Sequence, residues 1–461
     1  MTRNGHTKDL TEGRPLKQIL IFALPMIIGG IIQQLYSVVD TLIVGNTLGS
    51  QALAAVGATG STMFFMISFM IGLTNAFSIV TSHYFGAKNE QMVKKTVVNA
   101  IFLSAICAVL LTLVGIYGAR PLMELLQTPS EIINQSTIYI QICIGFCAAQ
   151  LAYNVAAALL RAIGDSKTPL YFLMISALAN IVLDLVFILV FHMDVAGAAV
   201  ATVISQAISA TLCIVHIIRK FPIFHIKRQE FRPDFKQLVL VSKMGLTMGL
   251  QSCLISLGEM AVTGVINGFG TTVVAAYTAG VRVEEFATLA FINLSQAFSI
   301  YAGQNLGARK TARVQEGFKK LAVVIILLSF VSMILIFNFG DDITRWFIAD
   351  SDAEINNVVN IAYQYLCVSA CFYPFLGMIL LYNNTLRGIG ELSVPLMSGI
   401  IELFSKVGFS IILSSLFSYT GIWYAAPLGW MLGMIPSLIR YHQGNWKRRP
   451  NKITAEIQPE G

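Results

Sequence analysis

Long apolar stretches follow one another along nearly the whole chain, separated by short polar segments. A helix that crosses a bilayer needs about 20 mainly apolar residues. Runs of that length are read at 16–44, 52–82, 94–118, 133–160, 168–191 and 195–218. After a hydrophilic linker they resume at 238–266, 273–303, 317–339, 356–386, 393–417 and 420–440. The pattern predicts an all-α polytopic membrane protein with about 12 transmembrane helices. Composition agrees, with 56% hydrophobic and only 12% charged residues, where a soluble domain carries roughly 25% charged.

Short motifs recur at a nearly constant offset. Phe85-Gly86-Ala87-Lys88 follows the second run and Leu306-Gly307-Ala308-Arg309 the eighth. Leu160-Arg161-Ala162-Ile163-Gly164-Asp165 closes the fourth, and Leu386-Arg387-Gly388-Ile389-Gly390-Glu391 the tenth. Leu48-Gly49 ahead of Ala54-Ala55 is echoed by Phe269-Gly270 ahead of Ala275-Ala276. Pairing Gly86 with Gly307, Gly164 with Gly390 and Gly49 with Gly270 gives offsets of 221, 226 and 221 residues. Three matches in order argue for duplication rather than a chance likeness of Gly/Ala-rich helix ends. Six helices separate the copies, an even number, so both halves run the same way through the membrane. Secondary transporters can carry such a parallel repeat about an axis along the membrane normal. The expected organisation is an N-terminal segment at 1–15, a six-helix lobe at 16–218, a linker at 219–237, a second six-helix lobe at 238–440 and a tail at 441–461. The two bundles are expected to be pseudo-symmetric about a central cavity.

Charge placement supplies an orientation. Basic residues gather at Arg3, Lys8, Arg14 and Lys17, at Lys88, Lys94 and Lys95, and through the linker from Arg219 to Lys243. They gather again at Arg309, Lys310, Arg313, Lys319 and Lys320, and at Arg440, Lys447, Arg448, Arg449 and Lys452. The alternate loops keep only Arg120 and Arg345, and one of them holds Asp341, Asp342, Asp350, Asp352 and Glu354. By the positive-inside rule both termini are expected in the cytoplasm. Dispersed loop charge also accounts for the net charge of +7 without nucleic acid, whose binders need a basic groove or a stacking platform.

Against this apolar background a few polar residues stand out. Asp40 lies inside the first span and Asp184 inside the fifth. A carboxylate in the bilayer core costs at least roughly 2.5–3.5 kcal/mol on insertion scales. Asn180 and Asp184 are one helical turn apart and share a face. Counted from the ends of their spans, Asp40, Asp184 and Thr202 share a depth in the outer half of the bilayer. Two carboxylates with amide and hydroxyl oxygens can take up a proton, or can hold a hard monovalent cation such as sodium. The plainer reading is polar glue between helices. Pro25 removes one backbone donor from the first helix and lets it bend. The second half has its own charges, Glu259, Arg282, Glu284, Glu285, Glu402 and Lys406. Glu402 with Lys406, and Arg282 with Glu285 or Glu284, have the spacing of intrahelical ion pairs, so structural pairing competes with a gating or substrate role. Cys143/Cys147 and Cys367/Cys371 also stand one turn apart, but no His or acid completes a metal set, so they read as packing residues.

At this point the chain resembles the multidrug and toxic-compound extrusion (MATE) family over essentially its whole length. The resemblance is carried by the repeat of two six-helix halves, the Leu24-Pro25 start, Asp40 ending the first span, the paired Gly-Ala-Lys/Arg loops and the paired Leu-Arg-x-x-Gly-Asp/Glu motifs. The sequence looks most like the prokaryotic DinF-type branch, which implies ion coupling in the N-terminal lobe. Matching that pattern are Asp40, Asn180 and Asp184, with Asn154 and Thr202 as further polar members. Tyr36 and Tyr139 match aromatic positions near that site, and Gln33 and Gln34 are expected to line it. The acids that the NorM-type branch places in its C-terminal lobe fall here on Ile255 and Leu376, with Glu259 one turn from the first.

The resemblance implies an antiporter of a prokaryotic inner membrane. It would export cationic or amphipathic organic compounds in exchange for protons or sodium by alternating access. No cofactor is expected, nor any metal beyond sodium at Asp40, Asp184 and Asn180. The expected partners are small organic substrates and membrane lipids, and the expected state is a monomer. The first rival is a lipid-linked oligosaccharide flippase of the same superfamily. It would need several cavity arginines for pyrophosphate, where the spans offer Arg282 and Lys406. The second is an intramembrane enzyme, and no His/Cys metal set, nucleophile elbow or phosphate-binding loop is present for one.

Overall fold

The computed structural model describes residues 9–347, 355–444, 446 and 453. Asp350, Asp352, Glu354, Arg3, Lys8, Lys447, Arg448, Arg449 and Lys452, on which the charge asymmetry partly rests, lie outside these residues, as do most of the end segments 1–15 and 441–461. The described chain is helical throughout. In order the helices are α1 (Pro15–Leu48), α2 (Ser50–Gly86), α3 (Glu90–Leu125), α4 (Ile133–Gly145), α5 (Ala148–Ala162), α6 (Lys167–Leu185) and α7 (Asp194–Lys220). Then come α8 (Phe235–Asn267), α9 (Thr271–Gly307), α10 (Thr311–Arg345), α11 (Ile355–Cys371), α12 (Tyr373–Gly388), α13 (Ser393–Phe417), the single turn α14 (Tyr419–Ile422) and α15 (Ala425–Gln443).

Among the described residues, nine spans are long and apolar enough to cross a membrane, and two bent helix pairs bring the number to 11. The 37-residue α9 is less apolar and carries Arg282, Glu284 and Glu285. Only helices can cross lipid this way, because each satisfies its own backbone hydrogen bonds.

The fourth and tenth spans differ from the continuous runs expected. α4 and α5 meet at a 44° bend, α11 and α12 at one of 53°. At the first break Thr112 of α3 donates to the carbonyl of Gly145, 2.9 Å away, so the backbone group released there keeps a partner. A Cβ at Gly115 would lie 2.6 Å from Ile144, so that glycine lets α3 and α4 close up beside the bend. At the second break Pro374 sits in the first turn of α12, where its missing N–H costs nothing. α1, in contrast, runs unbroken through Pro25.

The repeat is written into the backbone as well as the sequence. Gly49 and Gly270, which precede α2 and α9, have φ of +85° and +92°. Gly164 and Gly390, after α5 and α12, have +87° and +83°, and the non-glycine Lys88 and Arg309 both have +58°. The hydrogen bonds match too. The N–H of Asp165 donates to the Leu160 carbonyl at 3.0 Å and that of Glu391 to Leu386 at 2.8 Å. Each pair closes a helix with the wide turn of a left-handed C-terminal cap.

The chain divides into two compact units, one of Leu24–Gly249 and the other of Leu10–Ala23 with the residues from Leu250 onward. The opening turns of α1 therefore belong to the second unit, and α8 divides between Gly249 and Leu250. Within the first unit the linker before α8 is fastened to the start of α3. Lys95 pairs with Asp234 at 2.8 Å, Asn99 accepts from the Asp234 N–H at 3.1 Å, and the buried Gln237 donates to the Met92 carbonyl at 3.3 Å.

Candidate functional site

Five helices of the first unit carry the polar residues singled out above, and four of them, α1, α4, α6 and α7, bring their residues together. α6 carries Asn180 and Asp184 on one face, both completely buried. Directly after Asp184 the helix widens into a π-helical turn, Val186–Val190, a local geometry frequent at functional positions. Ser176 donates to the Ser205 carbonyl at 2.6 Å and locks α6 to α7. A Cβ on Gly197 would stand 3.2 Å from Phe187, so this glycine lets α7 lie against the π-turn. α4 is tied to α2 by Ser136, which donates to the Ala55 carbonyl at 2.8 Å, and to α7 by Gln135 and Asp194 at 2.9 Å. Val44, Ala52, Ile188, Val195, Ala198 and Ala199 pack with Tyr139 and Cys143 in one apolar cluster.

On that frame the carboxyls of Asp40 and Asp184 stand close together, and Tyr36, one turn before Asp40, stands beside Thr202. Asn180 donates to the Thr202 hydroxyl at 3.4 Å, a long contact. Tyr139 and Cys143 of α4 complete the ring, close enough to Asp40 to feel its charge. The sequence marks Cys143 only as a packing residue. Its position one turn from Tyr139 was the available signal.

Four oxygens in this cluster accept no hydrogen bond from any described group: Oδ1 of Asp40, Oδ1 of Asn180 and both carboxyl oxygens of Asp184. A buried acceptor left unmade costs about 1–3 kcal/mol, more when charged, so four together call for a further occupant. The donor set is all oxygen, which suits protons on the acids or a hard monovalent cation such as sodium. Among the described residues no three His, Cys, Asp or Glu side chains converge as a transition-metal set would.

The remaining predicted residues stand apart from these contacts. Asn154 is half-buried on α5 and takes part in none of the cluster's interactions. Gln33 is exposed and Gln34 half-buried, on α1 before Tyr36.

A MatE family profile matches residues 25–186 and 248–412. The chain belongs to the MatE family. It is a multi-pass membrane transporter and not an enzyme. YpnP of Bacillus subtilis, a probable multidrug resistance protein, is 31% identical over 442 residues, 95% of this chain and 97% of that protein. A solved MATE structure in complex with MaL6 superposes with a TM-score of 0.89 at 22% identity, over 96% of this chain and 99% of that one. A mutant of the Vibrio cholerae MATE transporter VcmN gives a TM-score of 0.85 at 21% identity, over 94% and 99%. The fold is therefore the 12-helix MatE fold.

The second unit of this MatE chain holds a different set of charges. Lys406 on α13, nearly inaccessible, pairs with Glu259 on α8. The intrahelical partner expected from spacing, Glu402, stays within electrostatic reach of Lys406 and Arg387 but is not the ion-pair partner. The cross-helix acid is favoured because Gly258 lets α8 approach α13, with Leu403 only 3.2 Å from where its Cβ would stand. Arg282 pairs with Glu285 at 3.3 Å, both side chains partly exposed. Glu284 accepts from the Tyr365 hydroxyl. Tyr365 packs edge-on against Tyr277 and Trp423, each at 5.2 Å. These three aromatic residues had no place in the sequence reading.

Proposed function

We propose that this transporter is a secondary antiporter that exports small organic compounds, cationic or amphipathic, in exchange for protons or sodium ions. The observation that carries the reading is the pair Asp40 and Asp184, on α1 and α6, whose carboxyls stand together with three buried oxygens, Oδ1 of Asp40 and both of Asp184, that accept no hydrogen bond. In this reading Asp40, Asp184, Asn180 and Thr202 hold the coupling ion. Tyr36 and Tyr139 shape the site, Gln33, Gln34 and Asn154 line its approach, and Pro25 gives α1 its freedom to bend. Binding the ion removes the electrostatic penalty of the two acids and changes which hydrogen bonds Asp40 and Tyr36 prefer. Because both sit on α1, ion occupancy is converted into a change along the helix wall. A ligand shifts such an equilibrium only by its differential affinity for the two states, and an acid pair buried in one state supplies that difference.

The export of drugs is supported by the relatives' names, probable multidrug resistance protein and multidrug export protein. Charge placement supports a cell-membrane setting with both termini cytoplasmic. The oligosaccharide-flippase alternative finds little cationic support in the second unit, where Arg282 is exposed and paired and Lys406 is held by Glu259.

The deciding experiment is efflux of a cationic dye from proteoliposomes under separately imposed pH and sodium gradients, with Asp40→Asn beside the wild type. One gradient should drive efflux and Asp40→Asn should abolish that dependence. Efflux indifferent to both gradients, or fully retained in the variant, sinks the proposal.

A further inference from the structure

At the end of the second unit where α1 and α10 begin, an open groove of about 860 Å³ runs between these helices. Four cations rim it, Arg14 and Lys17 from α1 and its approach, Lys319 and Lys320 from α10. All four are exposed. Its wall is apolar and continues onto the exposed surface of the two helices through Leu20, Ile21 and Val323, which are 37–57% exposed.

The rim is a built arrangement. The segment before α1 is clamped to the α9–α10 turn. Leu10 donates to the Gln304 side chain at 3.0 Å, Lys310 donates to the Thr11 carbonyl at 3.0 Å, and Arg313 donates to the Gly13 carbonyl at 2.8 Å. Ile19 then packs where a Cβ on Gly317 would stand 3.2 Å away. This clamp uses Lys310 and Arg313 and leaves the rim cations beside one another. Lys320 is balanced by Glu316 at 2.6 Å. Among the described residues, Arg14, Lys17 and Lys319 form no ion pair. Three uncompensated cations lining one groove repel one another, and a single anion between them would reverse the sign of that interaction.

We propose that the groove binds an anionic glycerophospholipid of the surrounding membrane. Its phosphate lies among Arg14, Lys17 and Lys319, and an acyl chain lies along Leu20, Ile21 and Val323. Charge complementarity selects an anionic headgroup over a zwitterionic one, as basic pockets between membrane helices do. The continuous apolar wall, with a volume far beyond that of an inorganic anion, selects a lipid over a free phosphate. The site is separate from the Asp40 cluster and does not depend on what the transporter exports.

The test is native mass spectrometry of the detergent-solubilised full chain, titrated with phosphatidylglycerol or with phosphatidylcholine of the same acyl chains. Phosphatidylglycerol should be retained at a concentration about tenfold lower. Lys17→Gln with Lys319→Gln should remove that preference, while Arg219→Gln with Lys220→Gln, at another basic helix end, should leave it intact. Equal retention of the two lipids, or an equal loss in the control variant, overturns the proposal. So does displacement of the lipid by glycerol phosphate at similar concentration, which would make the groove a free-anion site.

Discussion

Lys406 of α13 forms its ion pair with Glu259 of α8, although Glu402 stands one turn before it on its own helix. Two acids thus serve one buried cation, the nearer in space from a neighbouring helix and the nearer in sequence in reserve. Removing the partner of a buried charge costs about 3–5 kcal/mol when nothing replaces it, and less where that partner is itself 43% exposed, as Glu259 is. Here the reserve should blunt each single loss. Glu259→Gln and Glu402→Gln should each destabilise by about 1–2 kcal/mol, and the double variant by clearly more than their sum. Thermal unfolding of the four proteins in detergent measures the coupling, and simple additivity would show that Glu402 is no reserve.

Asp40 and Asp184 should behave as one unit. If the pair holds a single coupling ion, Asp40→Asn and Asp184→Asn should each cut gradient-driven efflux at least tenfold, and the double variant should be no worse than either. Stability should hold or rise, because each substitution leaves one acid where two face each other and removes a buried carboxyl oxygen that accepts no hydrogen bond. Loss of efflux accompanied by unfolding would point instead to a structural role.

Most of the architecture was legible because lipid imposes long apolar runs that nothing else requires. The helix breaks were not, since both sides of each are equally apolar. Pro374 was a visible sign of the second, whereas the first has only Gly145 and a hydrogen bond from Thr112. In the candidate site, Asp40 and Asp184 stand out in the sequence by their cost in lipid, and Asn180 by its helical spacing from Asp184. The π-turn beside Asp184 has no sequence signature. The repeat held an unused signal: the 226-residue offset between Gly164 and Gly390 also maps Tyr139 onto Tyr365 and Asn180 onto Lys406. The buried aromatic and the buried cation of the second unit thus fall at the positions of the first unit's site.

The linker supplies a pH dependence outside the membrane. The hydrogen bond from Lys95 holds the Asp234 carboxyl below the usual aspartate range, aided by the Gln237 N–H. A depressed folded value means that the ionised acid stabilises the fold above its unfolded pKa of about 3.9 and loses that contribution as pH falls through the lower folded value. Asn can keep the cap on the Gln237 N–H at 3.2 Å but not the ion pair. Asp234→Asn should therefore cost about 0.2–1 kcal/mol at neutral pH, as expected for a partly exposed pair, with the gap closing below about pH 4. Unfolding temperatures measured against pH for both proteins would reveal it, and a gap constant with pH would assign the effect to the cap.

The turns after α5 and α12 offer a test of the duplication itself. Gly164 and Gly390 sit at φ of +87° and +83°, where a side chain forces Cβ toward the neighbouring carbonyl at about 1–2 kcal/mol. Each also donates its N–H, to the carbonyls of Arg161 and Arg387, both at 2.9 Å. Equivalent turns should respond equally, so Gly164→Ala and Gly390→Ala should each lower stability by about that amount, and together by the sum, because the two turns share no partner. Alanine also narrows the unfolded ensemble, which offsets part of the strain by about 0.4–1 kcal/mol, so the net loss should sit near the lower end. Chemical unfolding of the two single variants in detergent is the measurement. A large loss in one with none in the other would mean that the matched φ angles conceal different roles.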